Sequence, residues 1–177
     1  MNDILDKAIK YKRNYAIVGR AHYLAAAAYA RYNRLLGIPV IVITAVIGST
    51  IFGTIGTIPG IGWKIAAGLI SLLAAILSSL QMSLKFSEIS EKHKMAGGRY
   101  RAASRRLSLF HLKYSTADAQ ARTEALADLT QMDEEWAKIA SESPAIPDRK
   151  YYKAEREFDQ EANRQPQLRI EQASGNN

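Results

Sequence analysis

Residues 34–64, RLLGIPVIVITAVIGSTIFGTIGTIPGIGWK, carry no charge between Arg34 and Lys64. Residues 65–84, IAAGLISLLAAILSSLQMSL, carry none before Lys85. A helix needs about 20 mostly apolar residues to cross the hydrocarbon layer of a bilayer. The second run supplies 20 and the first 29, more than one span requires. Residues 35–52 are rich in Ile, Val and Leu, whereas GTIGTIPGIG (53–62) holds four glycines and Pro59. The pattern predicts one transmembrane helix over 35–52, a glycine-rich outer turn near 53–64 and a second transmembrane helix ending at 84. Trp63 and Lys64 suit the far interface, where amphipathic rings and cations settle. Core helices of water-soluble proteins rarely run this long without a charge, and two in succession argue for lipid as the surroundings. The fold class expected is all-α: an integral membrane helical hairpin with long amphipathic cytoplasmic helices.

The polar remainder orients the hairpin. The 177-residue chain has a net charge of +7 and no cysteine, which excludes a disulfide framework and a thiolate metal site. Seven of its 24 basic residues lie in 1–34, Lys64 stands alone between the runs, and sixteen follow from Lys85 onward. Residues 35–87 contain no Asp or Glu. Arg20, Arg31 and Arg34 precede the first run, and Lys85, Lys92, Lys94, Arg99 and Arg101 follow the second. Because Lys and Arg gather on the cytoplasmic side, both termini are expected there and the turn outside. The first 34 residues show no signal peptide.

Four segments result. Residues 1–34 form an N-terminal cytoplasmic amphipathic helix, with Ile4, Ala8, Tyr11, Tyr15, Val18, His22, Ala25, Tyr29 and Tyr32 on one stripe and charges on the other faces. Residues 35–84 form the hairpin. Residues 85–142 form the C-terminal cytoplasmic helices, beginning with a stripe of Phe86, Ile89, His93, Ala96, Tyr100, Ala103, Leu107, Phe110 and Tyr114, which Gly97-Gly98 weakens or kinks. The two stripes can pair antiparallel within one chain or between subunits. Ser115 and Asp118 resemble a capping box opening a helix over 116–142, with Leu126, Leu129, Trp136 and Ile139 near one face. This helix is acidic and 85–114 is basic, which favours folding one on the other. Residues 143–177 hold a proline-containing linker, SPAIPD, a short helix with Tyr151, Ala154, Phe158 and Ala162 on one face, and a polar tail from Gln165 expected to be disordered.

RYNRLLGIPVIVITAVIGSTIF (31–52), the glycine-rich turn, SLLAAILSSLQMSLKF (71–86) and SEISEKHKMAGGRYRAASRRL (87–107) together resemble the SLATT domain, the two-transmembrane effector associated with SMODS nucleotidyltransferases and SLOG sensors. Asn33, Gly37 and Pro39, the Gly48-Ser49 pair and the His93…Tyr100 spacing carry the likeness, which covers roughly 1–142. The resemblance implies a membrane effector of a bacterial anti-phage system in the inner membrane. Such an effector oligomerises into a pore or lesion that causes abortive infection, and its partner would be a nucleotide second messenger or a sensor protein or nucleotidyltransferase. A non-conducting membrane anchor for a soluble partner is the alternative.

The residues that could carry such a role fall in three groups. Thr44, Gly48, Ser49 and Phe52 in the first span and Ser71, Ala75, Ser78 and Ser79 in the second are candidates for pore lining or helix packing, since small residues at four-residue spacing let helices approach closely. Two helices cannot enclose a channel, so a homo-oligomer in membrane lipid is expected. No carboxylate lies in the spans to form a selectivity ring. Gly37 and Pro39 are the candidate hinge. His22, His93, Arg99, Arg101, Arg105 and Arg106 are candidates for gating or ligand sensing. With membrane boundaries at 35 and 85, His22 lies about 20 Å and His93 about 12 Å along their helices. Direct contact within one antiparallel pair therefore requires an offset. The arginines either balance the acidic helix and anionic lipid or bind a nucleotide phosphate. No metal, cofactor, nucleic-acid module or enzymatic motif is expected.

Overall fold

The computed structural model describes residues 1–53 and 60–174, the side chains of 50–53, 119 and 165–174 excepted. Five helices account for nearly all of it: α1 (Asn2–Gly53), α2 (Ile61–Leu84), α3 (Phe86–Tyr114), α4 (Arg122–Glu142) and α5 (Asp148–Ser174), with a 3₁₀ turn at Ala119–Ala121. No strand occurs among the described residues. The chain divides into two compact units: Met1–Ala26 with Glu91–Asn177, and Ala27–Ser90. The expected outer turn falls largely on 54–59, outside the described residues.

In the first unit the two seven-residue stripes pair within the chain. Ile4, Ala8 and Tyr15 of α1 pack with Leu107, Phe110 and Tyr114 of α3, and Ala125 and Leu129 of α4 close the cluster. Trp136 of α4 sets its ring edge-on to Tyr15, centroids 4.1 Å apart. Burying side chains of this size contributes about 1.5–3 kcal/mol each. The other faces of α1 are not all charged, contrary to the pattern expected. Ile17 and Ala21 are fully buried against Ala154 of α5, with Leu24, Tyr151 and Phe158 around them. Ile17, Ala21 and Leu24 lie at helical spacing and form a second apolar stripe, so α1 is covered on two sides.

Charges finish the bundle as the opposite signs of consecutive helices predict. Arg99 pairs with Glu142, Arg106 with Glu135, and Lys113 with Glu124 and Asp128 at 2.8 and 3.2 Å. On the other side Arg13 meets Asp159 and Arg20 meets both Glu157 and Glu161 of α5. These pairs are solvent-exposed and each contributes under about 1 kcal/mol, so they set helix register more than stability.

Several local expectations are corrected. Ser115 does not cap a following helix: its hydroxyl donates to the Leu112 carbonyl and its amide to that of His111, so it closes α3. α4 starts later, at Arg122, with no side-chain cap. Leu126 is exposed, and Ala125 takes its place in the core. α5 runs from Asp148 to Ser174, longer than the short helix expected after SPAIPD. The chain breaks at Lys85, a lysine in the left-handed region (φ 46°, ψ 35°) between α2 and α3. A side chain there costs about 1–2 kcal/mol that glycine would not incur.

Gly97-Gly98 does not break α3, which runs through both. A Cβ on Gly97 would stand 3.0 Å from the Gly19 carbonyl oxygen and 3.1 Å from the Tyr23 ring. One on Gly19 would stand 3.3 Å from the Gly97 oxygen. The two glycines thus allow backbone-to-backbone approach of α1 and α3. Gly98 has no such duty, since a Cβ there would meet only the Tyr23 hydroxyl at 3.7 Å. Gly97→Ala is expected to destabilise by about 1–3 kcal/mol, because backbone must move. Gly98→Ala should stabilise by about 0.5–1 kcal/mol through helix propensity. Denaturant unfolding of the two variants, which should shift in opposite directions, checks the assignment.

In the second unit α1 and α2 meet at Asn33 and Gln81. Gln81 donates to the Asn33 side chain (3.4 Å) and occupies the space beside Gly37, where a Cβ would come within 2.8 Å of its amide nitrogen. A side chain at 37 would displace the end of the flexible Gln81 side chain rather than any backbone. Pro39 lies inside α1, which stays helical around it. Phe86 packs against Tyr29 and Tyr32.

Candidate functional site

Five of the eight residues proposed for pore lining or packing come together. Thr44 and Gly48, one turn apart on α1, face Ser71, Ala75 and Ser78 on α2 across a groove of about 430 Å³. Spacing by three and four brings them to common faces. Val40, Ile47 and Ala74 complete the lining. Ser49 and Ser79 do not belong to this groove: both are exposed, and the Ser49 hydroxyl donates to the Val46 carbonyl. Each sits one residue past a groove position, a rotation of about 100° around the helix. The Phe52 side chain lies outside the described residues. The hydroxyls in the groove are satisfied locally. Thr44 donates to the carbonyls of Val40 and Ile41, and Ser71 to that of Ala67. Such back-bonding lets a hydroxyl reside in an apolar setting without an unpaired donor.

His22 and His93 are brought into direct contact, Nδ1 to Nδ1 at 2.9 Å, both buried in the first unit. The offset required by the charge-defined boundaries therefore exists. It reflects packing: in the second unit Asn33, just before the boundary at 35, sits beside Gln81, well inside the boundary at Lys85. Charge marks where a helix leaves lipid, but side-chain volume sets register. For the hydrogen bond to form, one ring must carry its proton on Nδ1 and the other must leave Nδ1 bare. The Tyr100 ring stacks on His22, centroids 5.4 Å apart and planes within 17°. Burial, and secondarily His93, pushes His22 down to about 4, and burial also lowers His93. Both rings are held neutral at physiological pH.

The arginine cluster splits between two faces of α3. Arg99 and Arg106, seven apart, turn to α4 and pair with Glu142 and Glu135. Arg101 and Arg105, four apart, turn to the opposite side. There they line a cavity of about 880 Å³ with Lys12, Arg20 and Tyr23 of α1 and Phe158 of α5. The Arg101 guanidinium sits 5.9 Å from the centre of the Tyr23 ring. Lys12, Arg20, Tyr23 and Phe158 were not singled out from sequence. Lys12 and Arg20 fall off the apolar stripe, but no signal tied them to α3. Among the described residues no group of three or more His, Cys, Asp or Glu is placed to hold a metal ion.

The histidine pair sets a pH dependence with a definite sign. Both rings titrate lower folded than their ordinary value of 6.5. The unfolded chain therefore takes up protons first as pH falls. Stability from the neutral pair is complete above about 6.5 and is lost between there and about 4. The loss is on the order of 3 kcal/mol. Thermal midpoints measured across this window should fall for the wild type and fall less for the double variant His22→Asn, His93→Asn. Glu124, Asp128 and Glu142 are held below their ordinary range by Lys113, Tyr114 and Arg99, so their contribution is lost only at lower pH. Comparison of the chain with protein-family models, with curated proteins and with solved structures returned no match.

Proposed function

We propose that the protein is a two-span integral membrane protein whose copies associate and permeabilise a bacterial inner membrane. The supporting observation is the exposure of large apolar side chains on every face of the two helices. Both are long and apolar enough to cross a membrane, and only 6% of the apolar window in each is buried. Ala74 is the one buried residue of α2, while Ile65, Leu69, Leu72 and Leu73 are all more than half exposed. A core helix would bury such residues. Each large side chain moved from water into lipid gains about 1.5–3 kcal/mol. Lys and Arg flanking the two spans favour cytoplasmic termini. The role in anti-phage defence and the nucleotide or sensor trigger rest on the likeness of 31–52 and 71–107 to SLATT effectors. Association between copies follows from geometry, because two helices enclose no channel.

One observation favours a second reading, a non-conducting anchor. The hydroxyls of Thr44, Ser49 and Ser71 are turned onto their own helices, and no acidic residue lies in either span. A water-filled path would need those groups redirected.

Dye and ion release from vesicles reconstituted with the full chain separates the two. Pore formation gives release that changes at least several-fold in Ala75→Leu, which fills the groove, and little in Ser79→Leu, which points away. An anchor gives no release from wild type or variants. Extraction of membranes with carbonate tests the shared premise, since a protein removed without detergent does not span.

A further inference from the structure

Cations around α3 in the first unit differ in their partners. Arg13, Arg20, Arg99, Arg106 and Lys113 each meet a carboxylate of a neighbouring helix. Lys12, Arg101 and Arg105 meet none among the described residues, and all three line the cavity of about 880 Å³ between α1, α3 and α5. Its lining holds four cations against one carboxylate, Glu161, which is already bonded to Arg20 at 2.7 Å. The cleft therefore holds three cations without a counter-ion among the described residues. A concave site lined by one sign of charge focuses its field and attracts the opposite ion. The volume lies within the range of small-molecule sites, about 300–1,000 Å³.

The walls also hold their shape. The Ser104 hydroxyl donates to the Lys12 carbonyl at 3.2 Å, which ties α3 to α1 at the cavity's edge. The aromatic rings of Tyr23 and Phe158 add apolar surface to the same lining.

We propose that this cleft binds a small molecule bearing two or more phosphate charges. Arg101, Arg105 and Lys12 hold the phosphates, and Tyr23 and Phe158 flank a flat or apolar portion. Guanidinium forks bind phosphate oxygens bidentately, and an ammonium adds a compact point charge. A free nucleotide and a phosphorylated lipid headgroup share this chemistry. The site stands on the helical unit alone and does not depend on whether the spans conduct.

Binding of adenosine triphosphate and of inorganic tripolyphosphate to the full chain in neutral detergent, measured by calorimetry at low salt, tests it. Binding to nanodiscs with and without a phosphoinositide supplies the lipid arm. Saturable binding of any of these phosphates, weakened about tenfold or more by Arg101→Gln and by Arg105→Gln, supports the site. Arg99→Gln on the opposite face should bind like the wild type. Tighter binding of the nucleotide than of tripolyphosphate assigns the rings to a base, whereas binding only on phosphoinositide discs assigns the phosphates to lipid. Circular dichroism and thermal midpoints without ligand establish that the variants fold, and Lys12→Gln provides a third variant should either arginine change destabilise the bundle. No saturable binding of any phosphate probe by the wild type overturns the proposal. So does binding that the three cleft variants leave unchanged.

Discussion

The bundle depends on how closely the backbones of α1 and α3 approach at Gly19 and Gly97. A carbonyl oxygen of one helix stands where a side chain of the other would begin. Once that point is fixed, the neighbouring layers have little freedom. His22 meets His93 on one side of it, and the Lys12 carbonyl meets Ser104 on the other. Tyr100 is wedged beside them, stacking on His22 and meeting Tyr15 edge-on. Close packing leaves few alternatives at such a crossing, since a shift of one residue would drive aromatic rings into backbone. The cleft beside this crossing is lined on α1 by Lys12, Ala16, Gly19, Arg20 and Tyr23.

The second unit is governed by a different constraint. α2 and the later part of α1 present Ile, Leu and Val on all sides, and protein covers almost none of it. Apart from Arg34, Trp63 and Lys64 the polar groups there are Ser, Thr, Asn and Gln, and those with described bonds turn either to their own helix or, for Asn33 and Gln81, to each other. An apolar exterior with its hydrogen bonds satisfied internally is what lipid demands of any segment immersed in it.

Much of this was legible in the sequence because period and charge are local signals. The stripes through Tyr15 and His22 and through His93, Tyr100 and Leu107 were read from spacing, and they do meet. Thr44 with Gly48, and Ser71 with Ala75 and Ser78, follow from the same arithmetic. Other features depended on partners that sequence does not reveal. Ile17 and Ala21 form a core only because α5 returns to cover them. Arg101 and Arg105 face away from Arg99 and Arg106, a division that neither sequence reading of the four, as balance for the acidic helix and anionic lipid or as a phosphate site, could make. The charge of Lys85 marked the end of α2, but not the left-handed backbone there, for which lysine has no preference. The glycine pair was misjudged for a related reason: a glycine that weakens an isolated helix is needed wherever another backbone must pass against it.

The histidine contact also means that the neutral pair has two tautomeric arrangements, which differ in the places of two protons, one at Nδ1 and one at Nε2. If His22 donates, its own Nε2 is bare and His93 carries an N–H on its far side; if His93 donates, the arrangement is reversed. Switching between them relocates a hydrogen-bond donor from one helix to the other while every heavy atom stays in position.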